Sequence, residues 1–259
     1  MRPLVLIAAV RRTGSTLLAE LLTELPRAFV FREPKLFRGR VALKPDDLER
    51  LWTQAAVSLH AAPADQRRED PVQAALRFRA QVIDPVARVV EQVGIKEIRY
   101  GKRWQDVLDV LAGGRPLRVV ALGRDPRDMY LSLAYRARER RLPLIGDFGP
   151  AAVAADIERE FRVQRELIQA TGALAVRYED LCSDPRVVPE IRRFVDSPLQ
   201  GTGAIGTLKP AEHALHGGVV TDRRVERWRS EPDAGLLAQA EETGRLLNSY
   251  RRFWGYDGA

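Results

Sequence analysis

Two segments of this 259-residue chain carry hydrogen-bond donors at spacings suited to holding anions. The first is Val10-Arg11-Arg12-Thr13-Gly14-Ser15-Thr16-Leu17-Leu18. Gly14 lets the backbone approach an anion closely. The free amides of Gly14, Ser15 and Thr16 fall at the N-terminus of a following helix, where the dipole favours negative charge. The Ser15 and Thr16 hydroxyls add donors, and Arg12 adds a planar fork of N–H groups. A capped helix behind a tight turn, with no ligand, is the competing reading. The segment is not a Walker A loop, because the G-x-x-x-x-G-K-[ST] pattern and its lysine are absent, which argues against ATPase, GTPase and kinase chemistry.

The second segment is Leu122-Gly123-Arg124-Asp125-Pro126-Arg127-Asp128-Met129-Tyr130-Leu131-Ser132. Arg124 ends a strand and Ser132 lies about two helical turns on, so both can face one phosphate. Asp125 and Asp128 serve equally well as caps and as partners that fix Arg127. An Arg–Asp network at a helix start is the plainer alternative.

The elements that must position these residues follow from periodicity. Pro3 to Val10 reads as a buried central strand. Ser15 opens a helix through Leu25, with leucines on one face. Ala28 to Phe31 is a short strand, expected beside the first. Helices are predicted over Pro45–Leu59 and about Val72–Gln92, with a loop at 61–70 between them. A third strand is predicted over Gly94–Arg99 and a helix over Arg103–Leu111. Leu117–Leu122 is the clearest later strand, and Pro126 suits the first turn of a helix running to about Arg140. A loop from Arg141 to Pro150 precedes a helix ending at Thr171. A fifth strand spans Ala173–Arg177, and the C-terminal helix spans about 233–252. Repeated strand, turn and helix argue for a mainly parallel sheet flanked by helices, with ligands beyond the strands' carboxyl ends.

Composition narrows the class. Hydrophobic residues at 45% are enough for a packed core. The net charge is +7 and pI about 9.9, with arginine prominent, which suits phosphate or sulfate but also reflects composition spread along the whole chain. A single cysteine, Cys182, excludes an intrachain disulfide and fits a reducing, cytoplasmic setting. The apolar run at Leu4–Val10 is too short to cross a membrane, so no membrane insertion is expected.

Taken together, the two segments resemble those of sulfotransferases that use 3′-phosphoadenosine 5′-phosphosulfate (PAPS), in the bacterial and carbohydrate-type branches. The first resembles their R-[ST]-G-[ST]-[ST] loop for the 5′-phosphosulfate, and the second their R-D-P-R-D-x-x-x-S motif for the 3′-phosphate. Phe31-Arg32-Glu33-Pro34 is similar to F-x-E-P. Val176-Arg177-Tyr178-Glu179-Asp180-Leu181 with Asp184-Pro185 is similar to Y-E-D-L-x-x-D-P. Glu226-Arg227-Trp228 is similar to G-R-W. The matches occur in family order over residues 4 to 229.

The resemblance implies one α/β domain over 1–259 with a P-loop-kinase-like fold and no required metal. It implies acceptor-cleft and lid segments at about 34–93 and 136–155. It places Arg12, Thr13, Gly14, Ser15 and Thr16 on the 5′-phosphosulfate, Arg124 and Ser132 on the 3′-phosphate, and Arg227 over the nucleotide. PAPS is the implied donor and adenosine 3′,5′-bisphosphate (PAP) the product. The acceptor is a hydroxyl on a small molecule, carbohydrate or natural product. Two residues depart from the pattern: Arg11 stands where proline is common, and Glu226 replaces glycine.

Sulfuryl transfer needs alignment of three atoms and stabilisation of charge on the leaving phosphate, a task for Arg12 and the loop amides. It also needs a base for the acceptor hydroxyl. Glu33 is the candidate, by likeness to the carbohydrate branch; a simple pairing with Arg32 or Lys35 is the alternative. Histidine serves in other branches, leaving His60, His213 and His216, of which His216 is also a candidate acceptor contact. Lys96 and Arg99, at the end of the third strand, suit acceptor or sulfuryl contact, or a surface charge pair. Tyr178 fills the core at the end of the fifth strand. Two other functions compete: a nucleotide-dependent phosphotransferase on the same scaffold, and a basic nucleic-acid-binding protein, which lacks any supporting motif.

Overall fold

The computed structural model describes residues 2–59, 68–139, 149–199 and 225–257. Its centre is a five-stranded, wholly parallel sheet of order β2-β3-β1-β4-β5. The strands are β1 Leu4–Ala9, β2 Ala28–Arg32, β3 Gln92–Glu97, β4 Leu117–Gly123 and β5 Leu174–Arg177. The helices, in chain order, are α1 Ser15–Leu21, α2 Pro45–Ala55, α3 Pro71–Phe78, α4 Asp84–Val86, α5 Trp104–Ala112, α6 Pro126–Glu139, α7 Pro150–Thr171, α8 Tyr178–Ser183, α9 Val187–Phe194, α10 Ala234–Leu246 and α11 Asn248–Trp254. A π-helical turn, Arg79–Ile83, joins α3 to α4, and a 3₁₀ turn spans Arg227–Ser230.

The apolar run at the start of the chain becomes the middle strand because both of its faces are covered. Leu4, Leu6 and Ala8 face a core closed by α3, α5 and the segment around Leu36 and Phe37. Val5, Ile7 and Ala9 face a second core closed by α1, α8 and α9. A third core lies beyond Val10 and Ala121, where α6, α7, α10 and α11 meet. Alternation with a period of two thus sends successive β1 residues to opposite layers.

Several expectations are corrected. The second strand does not lie beside the first: β3 pairs with both and separates them. A long parallel crossover permits this order, and periodicity holds no information about which strands pair. α1 stops at Leu21, where Leu22 has left helical geometry. α2 stops at Ala55, followed by left-handed Ala56. The helix predicted to Gln92 ends at Val86, and Gln92 instead opens β3, where its side chain donates to the Val195 carbonyl. The C-terminal helix is two helices that break at Leu247. Within the segment 34–93, Leu36, Leu51, Ala74 and Phe78 are closed off from solvent and belong to the core.

Candidate active site

The loop between β1 and α1 is shaped by two residues in left-handed conformation, Arg12 at φ 66° and Gly14 at φ 83°. Thr13 is fully buried, and its hydroxyl donates to the Val10 carbonyl at 2.8 Å. Its side chain locks the turn. Gly14 precedes α1 with no side-chain cap, so the first amides of the helix keep their dipole-aligned donors at the loop. A side chain at Gly14 has no space: a Cβ there would lie 2.2 Å from Cδ2 of Tyr178.

Arg11 gives the loop entry a different anchor from proline. Its backbone N–H donates to Glu160 at 3.1 Å, its guanidinium to the same carboxylate at 2.6 Å, and a further nitrogen pairs with Asp156 at 2.8 Å. Burial opposes the Arg11 charge, but these carboxylates raise its pKa above the ordinary value. Four residues on, Gln164 of the same α7 helix donates one amide nitrogen to both Ala8 and Leu122, tying the ends of β1 and β4 together.

The two anion motifs meet. Arg12 donates from Nε and from a terminal nitrogen to Ser132 Oγ, at 2.9 and 2.7 Å. Arg124 donates to the Arg12 carbonyl at 3.4 Å, pairs with Asp128 at 3.6 Å, and lies 4.3 Å over the Tyr178 ring. Tyr178 opens α8 and does not end β5, and its ring lies between Gly14 and Arg124. The Asp125 carboxylate receives the Arg127 backbone and guanidinium, as expected of a cap and partner. Asp128 accepts from the Trp228 backbone at 3.1 Å, and its carboxyl is raised to about 6, chiefly by burial.

On the other side of the loop, Glu33 sits just past β2 in left-handed conformation, φ 56°. It pairs with neither Arg32 nor Lys35 by direct contact; its carboxylate holds the ammonium of Lys96 in a short ion pair. Arg32 is instead committed to Asp47 and Glu20 in a buried cluster that joins β2, α2 and α1. Lys96 is 2% exposed, not a surface charge, and its Nζ also reaches Thr16 Oγ1 at 3.3 Å. Burial pushes the Glu33 pKa up, but Lys96, with Lys44 and Lys35 behind it, carries it below the ordinary carboxylate value. Burial lowers Lys96, and Glu33 opposes that. Glu33 and the phosphate-type loop therefore share one buried cation, delivered from the strand between them.

Other candidates are placed elsewhere. Arg99 turns to Glu160 at 3.2 Å, so it braces the loop's anchor. Arg227 stacks 3.9 Å over the ring of Tyr135, which stands one helical turn beyond Ser132 on α6. Glu226 adopts the left-handed conformation, φ 50°, that glycine would supply, and its carboxylate pairs with Arg229. His60, His213 and His216 lie outside the described residues, as do residues 140–148 of the segment 136–155. Sequence reasoning missed Glu160, Gln164 and Glu97. Glu97 is buried, accepts from the Leu36 backbone, and is raised to about 8 by burial and then by the Glu33 charge. Isolated acidic or amide residues in amphipathic segments carry no signal that would single them out.

A profile of the Sulfotransferase family matches residues 3–200. The chain belongs to that family. The sulfotransferase domain of the Synechococcus PCC 7002 olefin synthase superposes with a TM-score of 0.61 at 17% identity, covering 96% of this chain and 94% of that one. The sulfotransferase domain from the curacin biosynthetic pathway does so with a TM-score of 0.60 at 11% identity, covering 96% and 97%. At these identities the likeness establishes the fold. Among curated proteins, a 3-methyl-2-oxobutanoate hydroxymethyltransferase of Corynebacterium glutamicum is 32% identical over 144 residues, 51% of each chain, so this chain spans about half the length of that relative. Among the described residues no helix is long and apolar enough to cross a membrane, and no three acidic, histidine or cysteine side chains group as metal ligands.

Proposed function

We propose that this sulfotransferase moves a sulfuryl group from PAPS to a hydroxyl of a small-molecule acceptor, working in the cytoplasm. One observation carries the reading: Arg12 of the first motif and Ser132 of the second, 120 residues apart, are hydrogen bonded, with Arg124 braced against the Arg12 backbone. The donor set suits an anion with two separated phosphates. It is made of guanidinium, ammonium, hydroxyl and helix-start amide groups, and lacks the lysine of a Walker loop.

When bound, the donor supplies an activated sulfuryl group whose leaving group is a phosphate. Arg12 with the Gly14, Ser15 and Thr16 amides would hold the 5′-phosphosulfate, and Arg124 with Ser132 the 3′-phosphate. Arg12 then exchanges its hydrogen bond to Ser132 for one to an anion. Glu33, kept ionised by Lys96, is ready to accept the proton of the acceptor hydroxyl. Lys96 stands between that base and the loop, where it balances charge on either side. Arg227, on its Tyr135 platform, closes the nucleotide side.

The test is transfer of isotopically labelled sulfate from PAPS across a panel of hydroxyl acceptors, read by mass spectrometry, with parallel binding of PAP and ATP. Tight PAP binding with labelled product supports the reading. Preference for ATP with phosphoryl transfer would overturn it in favour of a phosphotransferase.

A further inference from the structure

The family match ends at residue 200, yet the chain's last helix reaches into the second anion motif. Tyr250 on α11 is fully buried, and its hydroxyl accepts the backbone N–H of Arg124 at 3.0 Å. Tyr256, two residues past α11 and 2% exposed, donates its hydroxyl to one oxygen of Glu179 at 2.6 Å. The other Glu179 oxygen accepts the backbone N–H of Asp125 at 3.1 Å. Trp254 packs against the backbone of Gly123 so closely that a Cβ there would lie 2.2 Å from its ring. Three aromatic residues in seven therefore hold three consecutive residues of the motif, Gly123, Arg124 and Asp125, by one ring and two hydrogen-bonded links.

We infer that Tyr250 and Tyr256 are positioning residues for 3′-phosphate recognition, setting the backbone from which Arg124 and the Ser132 helix project. Neither hydroxyl points to a ligand; each is used up on the motif itself. A buried amide strongly disfavours the loss of its acceptor, so each link fixes the main chain at one residue. The Arg124 guanidinium inherits its aim from that main chain, and α6 begins two residues later at Pro126. The loop at Arg12–Thr16 touches the second motif but also has anchors of its own, through Arg11 to Glu160 and through Thr13 to Val10. Loosening the C-terminal links should thus weaken contact with the 3′-phosphate more than contact with the 5′ side. This inference rests on the assignment of Arg124 and Ser132 to the 3′-phosphate.

The experiment is calorimetric binding of PAP and of adenosine 5′-monophosphate to the full chain and to Tyr250→Phe and Tyr256→Phe. Both variants keep the ring and remove only the hydroxyl. The affinity ratio between the two nucleotides isolates the 3′-phosphate. In the unaltered chain it should favour PAP by about tenfold or more, the worth of one charge-assisted contact. In each variant the ratio should fall about fivefold, with monophosphate affinity within about twofold. Equal weakening of both nucleotides, or an unchanged ratio, would overturn the inference, because a merely structural role moves both alike. A ratio near unity in the unaltered chain would instead overturn the assignment of Arg124 and Ser132. Hydrogen exchange of the Arg124 amide in the unaltered chain needs no variant: slow exchange at the rate of global unfolding is expected, and fast exchange would refute the lock.

Discussion

Replacing Gly14 by alanine tests the packing that joins the two anion motifs. Two costs act together. The position is left-handed, φ 83°, which disfavours any residue with a Cβ by about 1–2 kcal/mol. The new Cβ would also stand 2.2 and 2.4 Å from two ring carbons of Tyr178. That ring is buried, and its retreat is opposed by Arg124, 4.3 Å from the ring centre. Overpacking of this kind costs about 1–3 kcal/mol, for a joint loss of about 2–5 kcal/mol. A chain of this size loses about 2–4 °C of melting temperature per kcal/mol, so a drop of roughly 5–15 °C is expected. Gly172 is the internal control: it is also left-handed, φ 60°, but nothing lies within 4 Å of its Cβ position. Gly172→Ala should lower the melting temperature by only a few degrees, the backbone cost alone, about 1–2 kcal/mol. The assay is thermal unfolding by circular dichroism with PAP binding alongside. If Gly14→Ala melts no lower than Gly172→Ala, Tyr178 does not set the spacing of the motifs.

Other perturbations follow from the same contacts. Glu33→Gln should keep PAP binding while turnover falls about 10²–10⁴-fold, the contribution of a general base, measured as sulfated product per minute; unchanged turnover refutes the assignment. The Glu97 carboxyl holds its proton to about 8 when folded, above its unfolded value, so its contribution to stability is complete in acid and is lost as pH rises through that range. Glu97→Gln should flatten this fall, seen as urea midpoints between about pH 5 and pH 9; a parallel curve would rule it out. Glu160→Ala removes the carboxylate shared by Arg11 and Arg99 and should cost about 1–3 kcal/mol in urea unfolding, less than a fully unpaired charge because Asp156 still reaches Arg11.

The strand–turn–helix order, the tight turn at Gly14 and the start of α6 at Pro126 were legible because each is local: a run of apolar residues, a glycine, a proline at a helix start. What could not be read was spatial order. Nothing in residues 28–31 or 92–97 says that β3 lies between β1 and β2, so the sequence left Lys96 as an acceptor contact or a surface charge pair and gave no sign of its buried link between Glu33 and Thr16. The partner of Arg99 was out of reach for the same reason: Glu160 lies on a helix more than sixty residues away in the chain. The glycine rule also misled at residue 226. A glutamate holds the left-handed conformation there, its carboxylate held by Arg229, so the backbone path survives without the small residue. Tyr178 fills the core as read, and its ring also lies between Gly14 and Arg124, a contact that the sequence did not signal.

The place of β3 in the sheet has a wider consequence. Neighbouring strands lie about 4.8 Å apart, so β1 and β2, separated by β3, stand about 9.6 Å apart. The backbone ends of the two strands are held apart by the width of a strand, and Lys96 of β3 bridges the gap, its ammonium touching both Glu33 and Thr16 Oγ1. In the proposed reaction, the spacing between Glu33 and the loop is therefore set by a buried residue of the sheet and not by the acceptor segments. The sheet itself acts as the gauge: surface segments around it can vary in shape and chemistry without altering the distance between Glu33 and the loop.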